Sequence, residues 1–287
     1  MSNNKNIKIM NKTVLITGTS SGFGASAANF FTQKGWNVIA TMRDTGKTSS
    51  LRNSENIFVT KLDVEDTASI QSAIDAGIKR FGKIDVLVNN AGYGLFGIFE
   101  SASRQAIQNQ FAVNVFGAMD VTRAILPYFR ENKSGVIINV SSGAGAIGFP
   151  MASIYSASKF ALEGWSEGLR YELASLGIKV KVIEPGGATQ TGFLNRVGGE
   201  STGLQLINDY LPFLEQTGKM FQSMASTSDI DAVEKVVSAI YKAAIDDSTR
   251  LRYSPTEDIQ PILNARRSSS EEAYQQFTDS IFTQANS

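Results

Sequence analysis

Short β-branched or leucine-rich runs alternate with longer amphipathic stretches along most of this chain, and that alternation leaves few folds open. Val14-Leu15-Ile16, Val38-Ile39-Ala40, Ile57-Phe58-Val59 and Val86-Leu87-Val88 are followed by Val136-Ile137-Ile138 and an apolar run over 180–183. Near-continuous apolar runs of this length suit strands of a parallel sheet covered on both faces. Between them, residues 69–81 place Ile70, Ala73, Ile74, Ile78 and Phe81 on one helical face. Residues 230–245 do the same with Val233, Val236, Val237, Ile240 and Ala244. Parallel neighbours need crossover connections, so the rhythm predicts one doubly wound α/β domain spanning residues 1–287, with helices on both faces of its sheet. Residues 192–228 interrupt the rhythm, and residues 256–287 read as a polar, partly helical tail.

Two absences then restrict the chemistry. The 287 residues include no cysteine and no histidine, which excludes disulfides, thiol nucleophiles, Cys/His metal sites and any Ser-His-Asp triad. No metal is expected, and acid–base work falls to Tyr, Lys, Asp or Glu. Lys plus Arg and Asp plus Glu both number 27, so the basic excess of a nucleic-acid binder is missing. No run approaches the roughly 18 apolar residues of a membrane span. The segment from Met1 to Met10 is polar and lacks an apolar export signal, so a cytoplasmic protein is expected, with Met1 or Met10 as its start.

The first strand runs directly into Gly18-Thr19-Ser20-Ser21-Gly22-Phe23-Gly24 and an apolar helix from Ala25. Glycines between a strand and a helix let backbone N–H groups approach a pyrophosphate, which the helix N-terminus then stabilises. The spacing is G-x-x-x-G-x-G, not the more common G-x-G-x-x-G. The second strand ends at Met42-Arg43-Asp44. Dinucleotide folds place an acid near this point for the ribose hydroxyls, or an Arg for a 2′-phosphate. Met42 stands where the acid would be and Arg43 follows it, so NADP(H) is expected over NAD(H).

Four motifs occur in order: Thr17 to Gly24, Asn89-Asn90-Ala91-Gly92, Asn139-Val140-Ser141-Ser142 and Tyr155-Ser156-Ala157-Ser158-Lys159. Together they resemble the short-chain dehydrogenase/reductase family over roughly residues 13–191, with Arg252-Tyr253-Ser254-Pro255 similar as well. Ala40-Thr41-Met42-Arg43-Asp44 and the run from Ser158 to Gly164 resemble the NADP-preferring branch that includes hydroxysteroid and retinol dehydrogenases. The resemblance implies a Rossmann-like fold and a hydride exchange between a nicotinamide and a carbonyl or alcohol.

The Tyr155–Lys159 pair carries physics of its own. Helical residues four apart lie about 6 Å from one another. At an effective dielectric of 20, an ammonium at that distance favours a phenolate by roughly 3 kcal/mol, about two pKa units. Tyr155 is thereby expected to move a proton near neutral pH. The resemblance implies a catalytic Ser 13 residues before the Tyr, which is Ser142. Ser141, one residue back on a strand end, faces the other way. It also implies Asn114 as the residue that relays protons to Lys159, and a buried Asn mending a helix irregularity is a compatible reading. The same resemblance places Asp63, with Val64 beside it, at the adenine, and Asn90, Ala91 and Gly92 at the adenosine ribose. Lys159 falls at the nicotinamide ribose and Pro185-Gly186 beside the nicotinamide. The family's carboxamide-holding Thr lies five residues after that Pro, but position 190 is Gln, which leaves Thr191 or Thr189.

Residues 192–228 carry Phe193, Leu194, Leu204, Leu206, Tyr210, Phe213, Met220 and Phe221 among scattered glycines, which suits a lid over a lipophilic substrate. Tyr93, Leu95, Phe96, Ile147, Phe149 and Met151 are expected as the other walls. The helix after Tyr155 has two apolar stripes. Leu162, Leu169, Leu173 and Leu176 form one, and Ala157, Phe160, Ala161, Gly164, Trp165 and Gly168 form the other. A helix apolar on both sides is buried on both, so a homodimer or homotetramer is expected. A cofactor-binding sensor or scaffold without turnover, or an epimerase or dehydratase, are the rival functions. A pure binder has no need of Ser142 or Tyr155.

Overall fold

The structure, a computed structural model, describes residues 11–48, 51, 53–187, 207–226 and 231–283. Seven parallel strands form one sheet in the order β3-β2-β1-β4-β5-β6-β7. They are β1 (Thr13–Thr17), β2 (Asn37–Met42), β3 (Ile57–Lys61), β4 (Val86–Asn89), β5 (Gly135–Val140), β6 (Ile178–Ile183) and the two-residue β7 (Arg252–Tyr253). Six of the seven were expected from their apolar runs. The strand order reverses direction at β1, between β2 and β4, which in open α/β sheets opens a crevice at the carboxyl ends.

Alternate residues of each strand face opposite layers. Val14, Ile16, Val38, Ala40, Val86 and Val88 pack with α1 (Gly22–Gln33) and, through Val236, Val237 and Ile240, with a late helix over Ala232–Ile245. Leu15, Ile39, Leu87 and Ile137 face the other layer: α2 (Thr67–Phe81), α4 (Ala118–Glu131) and α5 (Ser153–Leu173). A short α3 (Arg104–Phe111) joins α4 through a π-helical segment, Ala112–Gly117.

The expected lid is described only from residue 207. There Asn208–Tyr210 makes a 3₁₀ turn into α6 (Leu211–Ser226), followed by α7 (Ala232–Ile245). Phe193, Leu194, Leu204 and Leu206 lie outside the described residues. The tail is less polar in structure than in composition. It forms α8 (Gln260–Ser268) and α9 (Glu271–Phe282), whose Ile262, Leu263, Tyr274, Phe277, Ile281 and Phe282 pack with Ile147 and Phe149. No helix among the described residues is long and apolar enough to cross a membrane.

Candidate active site

Thr17, the last residue of β1, ties the glycine turn to the segment after β4. Its Oγ1 accepts from the Asn90 and Ala91 backbone N–H groups, both at 3.0 Å. Asn90 Nδ2 donates back to the Thr17 and Gly18 carbonyls at 2.8 and 3.2 Å. The glycines are required by this closeness. Gly18 has φ +71°, and a Cβ there would lie 2.9 Å from Ala91 Cα; a Cβ at Gly24 would lie 2.3 Å from the Gly18 carbonyl oxygen. Ser20 and Ser21 are half-buried in the turn, and Gly22 and Phe23 open α1, whose first turn carries no acidic residue. A helix N-terminus reached through a backbone cradle is a seat for phosphate.

The neighbouring strand ends complete the same edge. Met42 is buried, whereas Arg43 is exposed and makes no ion pair among the described residues. Asp44 accepts from the Gly46 N–H at 3.0 Å and faces Lys47 at 3.8 Å. After β3, the Asp63 carboxylate accepts from the Glu65 N–H at 3.2 Å, and Val64 packs on the π-segment at Gly117. After β6, the Pro185 carbonyl accepts from the Gly143 N–H at 2.8 Å, and the Gly186 N–H donates to Thr256 Oγ1 at 2.8 Å. Thr189 and Thr191 lie outside the described residues. The cradle and the helix end fit a nicotinamide dinucleotide, and when bound such a group supplies or accepts the hydride.

The four polar side chains singled out from sequence meet at the ends of β4 and β5. Tyr155, in the first turn of α5, is hydrogen-bonded to Ser142 and stacks on Phe96 at 5.5 Å and 28°. Ser142 Oγ also accepts from the Ala144 N–H at 3.2 Å, so the turn after β5 fixes its hydroxyl. Ser141 is buried and turned toward Glu163. Lys159, one turn after Tyr155, is buried; its Nζ donates to the Val140 carbonyl at 2.9 Å and lies 5.7 Å from the Tyr155 ring centre.

Asn114 lies inside the π-helical segment, where the regular hydrogen-bond ladder is interrupted. Its Oδ1 accepts from the Tyr93 N–H at 3.0 Å. Its Nδ2 donates to the Tyr93 carbonyl at 2.8 Å and to Ser158 Oγ at 3.2 Å. A Cβ on Gly92 would lie 3.1 Å from Asn114 Oδ1 and 3.8 Å from Lys159 Nζ, so Gly92, Asn114 and Lys159 share one small space.

Burial reverses one expectation. The Tyr155 phenol is pushed up to about 12, mainly because its anion would be desolvated, with the Ser142 hydrogen bond acting against this. Lys159 is lowered to about 8 by the same burial, and Glu163 pulls it back upward. Coulomb attraction between the two had suggested a lowered phenol. The cost of removing the charged forms from water outweighs it, and the Tyr155 phenol keeps its proton at neutral pH.

A cavity of about 460 Å³ opens beside the N-terminus of α5, lined by Gly97, Ile98, Phe99, Met151, Tyr210 and Phe213 among others. Of the expected walls, Met151 lines this cavity, and Phe96 and Phe149 pack around Tyr155. Leu95 and Ile147 are buried, Ile147 beneath the C-terminal helices. Two groups were passed over in sequence. Asn89, Asn139, Thr122 and Ser166 form a buried chain that locks β4 and β5 to their helices: Asn89 Nδ2 donates to Asn139 Oδ1 at 2.9 Å and to Thr122 Oγ1 at 3.0 Å, and Asn139 Nδ2 to Ser166 Oγ at 2.8 Å. Glu163, Glu184, Arg252 and Arg267 form a second cluster, scattered along the chain and without a local signal.

With this geometry in place, the short chain dehydrogenase family model matches residues 12–200. The chain belongs to the short-chain dehydrogenase family. It is an oxidoreductase acting on alcohol or carbonyl groups, and a structure of a short-chain dehydrogenase from Streptomyces avermitilis superposes with a TM-score of 0.78. That structure has 32% identity over 96% of this chain and 99% of that one. Retinol dehydrogenase 8 of Homo sapiens is 34% identical over 88% of this chain and 85% of its own length. A 3-ketodihydrosphingosine reductase of Bacteroides thetaiotaomicron is 41% identical over 66% and 69% respectively. Other similar structures hold NADH or NADP, so this short-chain dehydrogenase is matched to nicotinamide cofactors as a class.

Proposed function

We propose that the protein is an NADP(H)-dependent carbonyl reductase or alcohol dehydrogenase acting on a lipophilic substrate. The observation that carries this reading is the Tyr155 phenol, buried and hydrogen-bonded to Ser142, with Lys159 one turn behind it. In reduction, Ser142 donates to the substrate oxygen and stabilises the charge that develops there. Tyr155 then gives that oxygen its proton, and takes one back in the opposite direction. Lys159 binds the nicotinamide ribose hydroxyls and refills Tyr155, with Asn114 holding the path from the π-segment. Gly18 to Gly24 seat the pyrophosphate, Asp63 and Val64 border the adenine, Asn90 to Gly92 the ribose, and Pro185, Gly186 and Thr191 the nicotinamide.

Arg43 supports NADP(H) over NAD(H), because it is an exposed cation beside the glycine turn while Asp44 is engaged by Lys47 and Gly46. The largely apolar cavity at the N-terminal end of α5, the helix that carries Tyr155, supports a lipophilic ketone, aldehyde or alcohol, in keeping with what the retinol and ketodihydrosphingosine relatives are named for. Ala157, Phe160, Gly164 and Gly168 stay exposed on α5, which supports a homodimer or homotetramer closing over that face. The test is nicotinamide absorbance with NADPH and NADH against a panel of ketones and aldehydes graded in size and polarity. Turnover with NADPH and bulky apolar carbonyls is expected. Equal turnover of small polar and bulky apolar carbonyls would contradict the substrate class, and equal kcat/KM with both cofactors would contradict the preference.

A further inference from the structure

Tyr155, Lys159, Glu163 and Glu167 follow one another at four-residue spacing along one face of α5, and the chemistry above uses only the first two. Glu163 is 5% exposed and Glu184, just after β6, is 0% exposed. Buried carboxylates are costly unless paired. The pairing cations come from the C-terminal part of the chain. Arg252 of β7 donates through Nε to Glu163 at 2.9 Å and through Nη2 to Glu167 at 2.5 Å, and its Nε lies 3.7 Å from Glu184. Arg267 of α8 closes on Glu184 Oε1, while Ser254 Oγ donates to Glu184 Oε2 at 2.6 Å. Two arginines thus face three carboxylates, and Lys159 lies one helical turn before Glu163 on the same buried face of α5.

Gly145 makes room for this arrangement, since a Cβ there would lie 2.6 Å from Ser141 Oγ and 2.8 Å from Glu163 Cγ. We propose that Glu163 is a positioning residue for the reaction, holding Lys159 in its ammonium form so that it can bind ribose and serve Tyr155. The inference rests on the Tyr155–Lys159 reading above. Glu163 is also the group that opposes the effect of burial on Lys159. Tyr155 lies one turn before Lys159 and Glu163 one turn after it on the same helix; Glu163 is in turn held by Arg252 of β7, which also reaches Glu167 and Glu184, and Arg267 of α8 closes on Glu184. The neutral Asn114 and Gly92 face Lys159 from the π-segment and the turn after β4.

The test follows NADPH affinity by fluorescence, and kcat/KM for ketone reduction, across about pH 6 to 10 in the wild type and in Glu163→Gln. The alkaline limb, where Lys159 loses its proton, is expected to move down by about one pH unit. That is about a fivefold loss near pH 8, rising to about tenfold above pH 9, with little change near pH 6. Glu163→Asp keeps the charge and restores the limb. Glu167→Gln, which also faces Arg252 but from the half-exposed end, leaves the limb in place. A uniform loss at every pH, with the limb unmoved, would mean a merely structural Glu163 and overturns the proposal. If Glu163→Gln does not accumulate because Arg252 is left unpaired, the double variant E163Q/R252Q removes both charges. Its limb lies below that of Arg252→Gln alone if the proposal holds, and coincident limbs overturn it. Tyr155→Phe assayed alongside separates the two readings. Retained turnover there overturns the role of Tyr155, while the limb in NADPH binding still decides the role of Glu163.

Discussion

Replacing Lys159 by Met is expected to stabilise the cofactor-free protein near pH 7 while abolishing turnover. Burial lowers the Lys159 ammonium from 10.5 to about 8. One pKa unit corresponds to about 1.4 kcal/mol, so the charged lysine opposes folding by about 3 kcal/mol at any pH below 8. Between about pH 8 and 10.5 the folded lysine is neutral and the unfolded one still charged. The unfolded state then binds more protons, and wild-type stability climbs with pH until the penalty is gone. Met fills much of the same volume but leaves the buried Val140 carbonyl without its 2.9 Å donor, worth about 1–2 kcal/mol. The net is a gain of roughly 1–2 kcal/mol near pH 7, a few degrees in Tm, turning into a deficit of similar size above about pH 10. Urea unfolding of both proteins without cofactor, at several pH values across that window, measures the crossing. A variant less stable than wild type near pH 7, or a difference that does not change with pH, would refute the reasoning.

Three further outcomes are expected. Arg43→Ser should weaken NADPH binding by about 10- to 100-fold, the worth of a charge-assisted hydrogen bond, and leave NADH binding nearly unchanged; equal losses in a fluorescence titration would contradict the role of Arg43. Gly24→Ala forces a Cβ to 2.3 Å from the Gly18 carbonyl oxygen. About 1–3 kcal/mol of stability and most nucleotide binding should go with it, read by thermal unfolding and titration. Phe160 is 42% exposed and Phe116 57% exposed, while Gly164 and Gly168 on the same helix as Phe160 face open space. Light scattering at micromolar concentration should therefore show a dimer or tetramer in the wild type and a monomer in Phe160→Glu, and a monomeric wild type would sink the idea.

The inner strands were legible because they are largely buried on both faces, so Val14 to Ile16 or Val136 to Ile138 reads as apolar without interruption. The glycine turn and the Tyr155–Lys159 pair, the candidate cofactor and catalytic segments, stand out in the sequence because the close approach of Gly18 to Ala91 and the four-residue helical step call for particular residues at short spacing. The C-terminal helices were read as a polar tail because Tyr274, Phe277, Ile281 and Phe282 are few among polar neighbours, and their partner Ile147 lies far away in sequence. The ionic cluster draws on positions 163, 184, 252 and 267, which only the fold brings together. The phenol moved opposite to expectation because a pairwise Coulomb estimate omits desolvation, a property of the folded surroundings and not of the pair.

The central claim is that Tyr155 carries the proton for a carbonyl–alcohol interconversion. Removing only its hydroxyl tests this most directly: Tyr155→Phe and wild type are compared for ketone-dependent NADPH oxidation and, in parallel, for NADPH affinity. The account predicts turnover reduced by about 10²- to 10⁴-fold with cofactor affinity within a few-fold of wild type. Undiminished turnover in a variant that binds NADPH normally would contradict it.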